Sequence, residues 1–314
     1  MSMDRLITRI LETKNPSVAG LDPKLSYIPD FIKEEAFAKH GKNLEGAAAA
    51  LLEFNKGIID ALCDIVPAVK PQCAYYEMLG WQGVKALSDT IHYAQQKGMV
   101  VMIDGKRNDI GTTMEAYAAG HLGVTQVEDI SLPAFGGDLL TVNGYLGSDG
   151  IKPLIKVCQE QNKGIFVLVK TSNPSSGELQ DQCIDGKPVY RVMGEFCEKW
   201  GEELPGKYGY SGVGAVVGAT YPDQLTELRK ALPHTFFLVP GYGAQGGGAE
   251  GVAGAFDENG LGAIINSSRG ILCAWQKTGA APQDYAKAAR EEALRMKADL
   301  CRVIPLMKAP AEAE

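Results

Sequence analysis

Four apolar residues, Val100-Val101-Met102-Ile103, run directly into Asp104-Gly105-Lys106-Arg107-Asn108-Asp109. An unbroken apolar run suits a strand buried on both faces, as in a parallel sheet. Alternation along a strand sends Asp104 and Lys106 to one face and Gly105 to the other. Asp109 falls beyond the strand, so two carboxylates bracket one ammonium at its carboxyl end. Charges so placed are costly unless they are paired or used. Acids on either side favour the ammonium form of a lysine. Beside a reacting carbon, such a group is a general acid and a fixed positive charge at once. An imine-forming lysine needs the opposite surroundings, burial or a second cation. The bland alternative is an ion-pair network that merely closes the end of the fold.

Other polar residues end apolar runs in the same way: Asp22 after 17–21, Lys70 after 65–69, Ser172 after 165–169, Gln245 after 236–239 and Arg269 after 262–265. Lys70, from the neighbouring strand, is expected within reach of Asp104. The last two runs lead into Pro240-Gly241-Tyr242-Gly243-Ala244-Gln245-Gly246-Gly247-Gly248 and Asn266-Ser267-Ser268-Arg269-Gly270. Glycine-rich backbone lets amide N–H groups approach an anion, Arg269 can make a forked contact to phosphate, and Gln245 can add an amide donor. Taken singly, these would be a flexible turn and a surface salt bridge. Gly241, Gly243 and Gly246 also match the dinucleotide-binding spacing, but no first βαβ unit surrounds them.

The elements that must position these groups alternate. Apolar strand runs at 17–21, 65–69, 100–103, 126–133, 165–169, 214–219, 236–239 and 262–265 are separated by helical patterns. A helix from about Asn43 carries Leu51, Phe54, Ile58 and Leu62 on one stripe. Another spans 81–97 and stops at Gly98. Thr112 and Glu115 have capping-box spacing for a third. One helix is centred on 192–200 and a final one opens at Pro282, with Tyr285, Ala289, Met296 and Leu300 facing inward. Eight strand–helix units in strict alternation predict an α/β fold, a (β/α)8 TIM barrel with extra helical insertions, as a single domain over 1–314. The insertions are expected around 24–41, 138–162 and 175–212, and the tail 309–314 is expected to fray. A doubly wound open sheet shares the alternation, but eight strands favour the barrel.

The 314 residues are 45% hydrophobic with a formal charge of −7, enough apolar content for a large core and the wrong sign for nucleic acid or an anionic membrane. No run approaches the length of a bilayer-spanning helix. The beginning of the chain lacks the basic-then-apolar layout of a secretory signal. Seven cysteines without a Cys-x-x-Cys pair read as reduced cytoplasmic thiols, and four scattered histidines offer no metal-ligand spacing.

Several of these stretches together resemble the orotidine 5′-phosphate decarboxylase family. They are Gly20-Leu21-Asp22-Pro23, Lys70-Pro71-Gln72, Asp104 to Thr113, Thr171-Ser172-Asn173-Pro174 and the glycine-rich Pro240 to Gly247. The longer Lys-Arg-Asn-Asp-Ile-Gly-Thr-Thr form is similar to the type 2 bacterial branch. The resemblance implies decarboxylation of orotidine monophosphate to UMP, the last step of pyrimidine nucleotide synthesis, without cofactor or metal. By the same resemblance, Lys106 protonates C6 and Asp104 sits against the departing carboxylate. Lys70 bridges Asp104 and the ribose, Asp22 holds a ribose hydroxyl, Ser172 faces the pyrimidine amide, and Gln245 and Arg269 take the phosphate. Asp109 and Thr113 would complete the site of the partner in a cytoplasmic homodimer.

Two alternatives remain at this level. A magnesium-dependent sugar-phosphate decarboxylase or aldolase shares Asp-x-Lys-x-x-Asp on the same barrel, but needs a carboxylate where this chain has Lys70. A non-catalytic nucleotide-binding barrel would keep the phosphate site without needing Asp104, Lys106 and Asp109.

Overall fold

Strands that are apolar on both faces need cover on both, and here they obtain it by closing on themselves. The computed structural model describes residues 1–243 and 248–304. Its eight barrel strands are β1 Ser17–Leu21, β2 Ala68–Pro71, β3 Val100–Arg107, β4 Leu139–Val142, β5 Gly164–Lys170, β6 Val213–Val217, β7 Phe237–Val239 and β8 Ala263–Ser267. All pairings are parallel and sequential, and β8 closes on β1 with Ser17 opposite Ile265.

Side-chain alternation divides the core in two. Ala19, Val69, Val101, Ile103, Leu140 and Val167 face outward and pack under the surrounding helices. Val18, Ala68, Val100, Met102, Leu139 and Phe166 fill the interior of the barrel. The expected helices form that outer ring, including Leu44–Leu62, capped by the Asn43 side chain on Gly46 N, and Gly80–Gln96, which ends before Gly98 at φ 79°. Helix Tyr285–Val303 buries Tyr285, Ala289, Met296 and Leu300.

The helix Ser2–Thr13 was not anticipated. It presses Met3, Leu6, Ile7 and Ile10 against the interior cluster. Arg5 locks it in place by donating to Asp138 Oδ1 at 2.9 Å and to Met99 O at 3.0 Å, both at strand beginnings. One end of the barrel is thereby plugged, and the carboxyl end is left for a site.

Three expectations need correction. Residues 126–133 are not the fourth barrel strand: 125–127 and 130–132 pair as an exposed antiparallel hairpin. Glu128 and Asp129 stand in the middle of that run, and a strand buried on both faces cannot hold them; Glu128 turns the hairpin at φ 54°. The fourth strand is the fully buried Leu139-Leu140-Thr141-Val142. The stretch 138–162, expected as an insertion, is therefore the fourth strand–helix unit, completed by Ser148–Gln161. The Thr112–Glu115 capping box does not form, because helix Gly111–His121 starts two residues earlier than a Thr112 cap requires and has Ile110 at its cap.

Two additions to the barrel remain. Residues 24–41 hold a short turn and the helix Asp30–His40. Within 175–212, a short helix Gly177–Gln180 and a two-stranded hairpin precede Val189–Gly201, which is itself an outer barrel helix. The tail 309–314 lies outside the described residues.

Candidate active site

The alternation that puts Ala68 inside β2 also points Lys70 inward, and Val100 and Met102 set the same direction for Asp104. Both residues therefore form the last layer of the interior at the carboxyl end. Lys70 Nζ lies 2.5 Å from Asp104 Oδ2, and Lys106 Nζ lies 2.6 Å from Asp104 Oδ1. One carboxylate thus holds two ammonium groups, one on each oxygen.

Lys106 does not get there by plain alternation. Ile103 pairs with Leu140 and Arg107 with Val142, so β3 bulges by two residues against β4. Lys106 sits in the bulge at φ 47°, a left-handed conformation that costs about 1 kcal/mol or more for a residue with a side chain. Bulges of this kind re-aim side chains at barrel rims. Thr141 of β4 holds the distortion: its hydroxyl accepts from Lys106 N at 3.0 Å and donates to Asp104 Oδ1 at 2.9 Å. Thr141 was not identified from the sequence, where it is one residue inside a run assigned to a connection.

Burial by itself would push the Asp104 carboxyl up, but the ammonium groups of Lys70 and Lys106 overcome it and hold the carboxyl well below the usual range. Burial would likewise lower Lys70, and the charges of Asp104 and then Asp22 outweigh it, so its ammonium form is reinforced. Lys106 is 46% exposed, against 9% for Asp104, so of the two it is the group presented to an incoming molecule.

Beside this array lies a cavity of about 430 Å³ lined by Asp22, Asn266, Gly241, Gly243 and Arg269, with Lys24, Lys277 and Arg295 further along its wall. Among the described residues, Asp22 Oδ1 and Asn266 Oδ1 are buried there without a protein hydrogen-bond partner. Two orphaned acceptors in a cavity fit a ligand that carries hydroxyl donors. Gly20 is required beside them, since a Cβ at that position would lie 1.9 Å from Ser268 Oγ. Four cations against Asp22 and Glu292 give the cavity a positive surplus suited to an anion. Asn266, Lys24, Lys277 and Arg295 carry no local motif and went unread in the sequence. Lys277 and Arg295 reach the cavity from helices that only the closed barrel brings round.

Gln245 lies outside the described residues. Ser172 follows β5 and packs against Gly218 and Gly241, the residues that follow β6 and begin the loop after β7. Asp109 does not touch Lys106; its Oδ1 accepts from Ile110 N at 2.8 Å. Thr113 is exposed on the first turn of the next helix, away from the cavity of its own chain. Among the described residues, no group of three or more His, Cys, Asp or Glu side chains is arranged to hold a metal ion.

The profile of the orotidine 5′-phosphate decarboxylase / HUMPS family matches residues 49–283. The chain belongs to this family. It is 45% identical to the orotidine 5′-phosphate decarboxylase of Rhodopirellula baltica over 287 residues, 91% of each chain. The corresponding enzyme of Caldicellulosiruptor bescii is 41% identical over 87% of this chain and 90% of that relative. Among solved structures, the OMP decarboxylase of Leishmania donovani superposes with a TM-score of 0.70 at 30% identity, covering 94% of this chain and 98% of that one. The barrel and the family expected from the strand-end motifs are both found.

Proposed function

We propose that this chain decarboxylates orotidine monophosphate to UMP and carbon dioxide, with Lys106 as the proton donor. The observation that carries the reading is the Lys70–Asp104–Lys106 array beside a cation-lined cavity. Breaking the bond from C6 to the carboxylate leaves its electron pair on C6, and no adjacent carbonyl can delocalise it. The ammonium of Lys106, already fixed by Asp104, stabilises that pair without reorganising and then donates a proton to form the C6–H bond. Water returns a proton to the lysine afterwards.

The other residues take roles that match their surroundings. Asp104 faces the departing carboxylate, and Lys70 keeps Asp104 ionised and reaches toward the ribose. Asp22 accepts from a ribose hydroxyl, Ser172 meets the pyrimidine amide, and Arg269 with Gln245 holds the phosphate. Binding energy from that remote phosphate offsets the cost of bringing a carboxylate up to Asp104. No metal or cofactor is needed for these steps.

We also propose a cytoplasmic homodimer in which Asp109 and Thr113 complete the partner's site. Exposed Met78, Trp81, Ile110, Tyr145 and Leu146 support it, since all of them follow β2, β3 or β4 at the rim that carries these two residues. Seven free cysteines support a reducing compartment. No helix among the described residues is long and apolar enough to cross a membrane.

The second reading is a metal-dependent sugar-phosphate enzyme on the same barrel. An ammonium 2.5 Å from Asp104 occupies the place where such an enzyme needs a carboxylate ligand, and it repels a divalent cation. Mixing the protein with orotidine monophosphate and following the orotate ultraviolet band tests the proposal: the band should decay, and EDTA should not slow it. A stable band overturns the reading, whether the protein binds the nucleotide or not.

A further inference from the structure

The residues between Pro174 and Pro188 add a short helix and a hairpin to the barrel, and a fully buried ammonium lies beneath them. Lys170, the last residue of β5, is 0% exposed and pairs through Nζ with Asp181 Oδ1 at 2.6 Å. The rings of Tyr221 and Tyr190 lie 4.5 and 5.7 Å from the same nitrogen. Leu168 packs against the interior cluster, so alternation would turn Lys170 inward too. A register shift between Val216 and Val217 prevents this and sends Lys170 outward under the added segment. Its ammonium is thus remote from the chemistry at Lys106, yet it is fully desolvated.

What the pair anchors is the start of the loop that bears Ser172. Gln180, next to Asp181, accepts from Thr171 N at 2.9 Å and donates to Thr171 Oγ1 at 2.8 Å. Thr171 Oγ1 in turn donates to Asn173 Oδ1 at 2.7 Å. On the other side, Thr220 Oγ1 donates to Ser172 O at 3.2 Å. A Cβ on Gly218 would lie 2.8 Å from Ser172 Cα, so the backbone behind the serine has no room to shift.

We infer that the added segment is a clamp for base recognition, in which Lys170, Gln180 and Asp181 are positioning residues that fix Ser172 for the amide edge of a pyrimidine. This rests on the decarboxylase reading, in which Ser172 faces the base. A loop residue holds a hydrogen bond to a ligand well only when its own backbone is locked by surrounding contacts. Among the described residues, the lining of the phosphate cavity includes none of Lys170, Gln180 and Asp181.

The test compares two competitive ligands, UMP, which carries the base, and ribose 5-phosphate, which lacks it. In Asp181→Asn and in Gln180→Ala, the Ki of UMP and the KM of orotidine monophosphate should rise about tenfold, the worth of one buried hydrogen bond. The Ki of ribose 5-phosphate should stay within about twofold of the parent, so that the ratio of the two Ki values reports the clamp. Equal weakening of both ligands would mean general loosening of the barrel, and no change in either would mean an inert insertion; both outcomes overturn the clamp. Gln180→Ala leaves the Lys170–Asp181 pair in place, so the comparison stands even if Asp181→Asn does not fold. Absence of turnover in the unsubstituted protein overturns the decarboxylase reading itself. Normal turnover with unchanged Ki ratios in the variants removes the clamp alone.

Discussion

Thr141 and Asp104 meet at 2.9 Å across the β3–β4 pairing, and the same threonine oxygen accepts the amide of Lys106. One hydroxyl therefore orients the carboxylate and also holds the left-handed residue that carries the second ammonium. Replacing it with the isosteric Thr141→Val removes both bonds and leaves the volume almost unchanged. Hydrogen bonds to charged groups are worth about 1.5–3 kcal/mol, so kcat should fall roughly 10- to 100-fold while KM moves little. Steady-state kinetics check this, and an unchanged kcat would remove Thr141 from the machinery.

Lys106 is the exposed member of the array, and its neighbours do not depend on it for burial. Lys106→Met should keep the thermal midpoint near that of the parent and lose activity by a factor on the order of 10³ or more. Parental turnover in this variant would refute protonation by Lys106.

Lys70 is different, because it is itself buried, and its loss leaves the buried Asp104 carboxylate with a single, half-exposed ammonium. Lys70→Met should destabilise the protein by about 3–5 kcal/mol, read from denaturant midpoints. The pH dependence follows from the two shifts. Asp104 is held below its ordinary 3.8, so its contribution is present at neutral pH and is lost only as pH falls through the lowered value. Lys70 is raised above its ordinary 10.5, so its contribution is full below that value and is lost only as pH rises through the raised one. Stability from this pair should therefore be level across the neutral range in the parent. In Lys70→Met, burial of Asp104 is opposed by Lys106 alone, so the acid unfolding midpoint should move to higher pH.

Arg269 lines the cavity, and in the proposed reading it acts on the phosphate alone. Arg269→Ala should lower kcat/KM for orotidine monophosphate roughly 10- to 100-fold, the worth of a charge-assisted contact. It should leave the slow turnover of orotidine, which has no phosphate, unchanged. Equal losses on both substrates would place Arg269 in a structural role.

Among the described residues, the Asp109 side chain bonds only to its own neighbour Ile110, itself an exposed apolar residue of the rim. If it serves the partner's site, mixing inactive Lys106→Ala and Asp109→Ala proteins should restore activity. Random exchange would make about a quarter of all sites fully wild type, which sets the expected recovery. No recovery, with subunit exchange demonstrated, would confine Asp109 to its own chain.

Most of the barrel and the charged array could be read from the chain alone, because both are local signals. A strand buried on both faces must be apolar throughout, so a polar residue at its end is conspicuous; Asp22, Lys70, Asp104, Ser172 and Arg269 were found in this way. The fourth strand was missed because the apolar letters of 126–133 outweighed the two acids in its middle. Only pairing with β3 and β5 showed that 139–142 fills that place.

What the tertiary structure alone decided is how the groups meet. Alternation predicts Lys106 on the face of Asp104, but a two-residue bulge, visible only against β4, is what turns it there. Thr141, Asn266, Lys277 and Arg295 have no motif because their roles come from neighbours distant in the chain. The plug Ser2–Thr13 and the clamp on Thr171 belong to the same class. Local pattern determines which residues a strand must bury and which it must release at its end; the register between strands determines what those released residues touch.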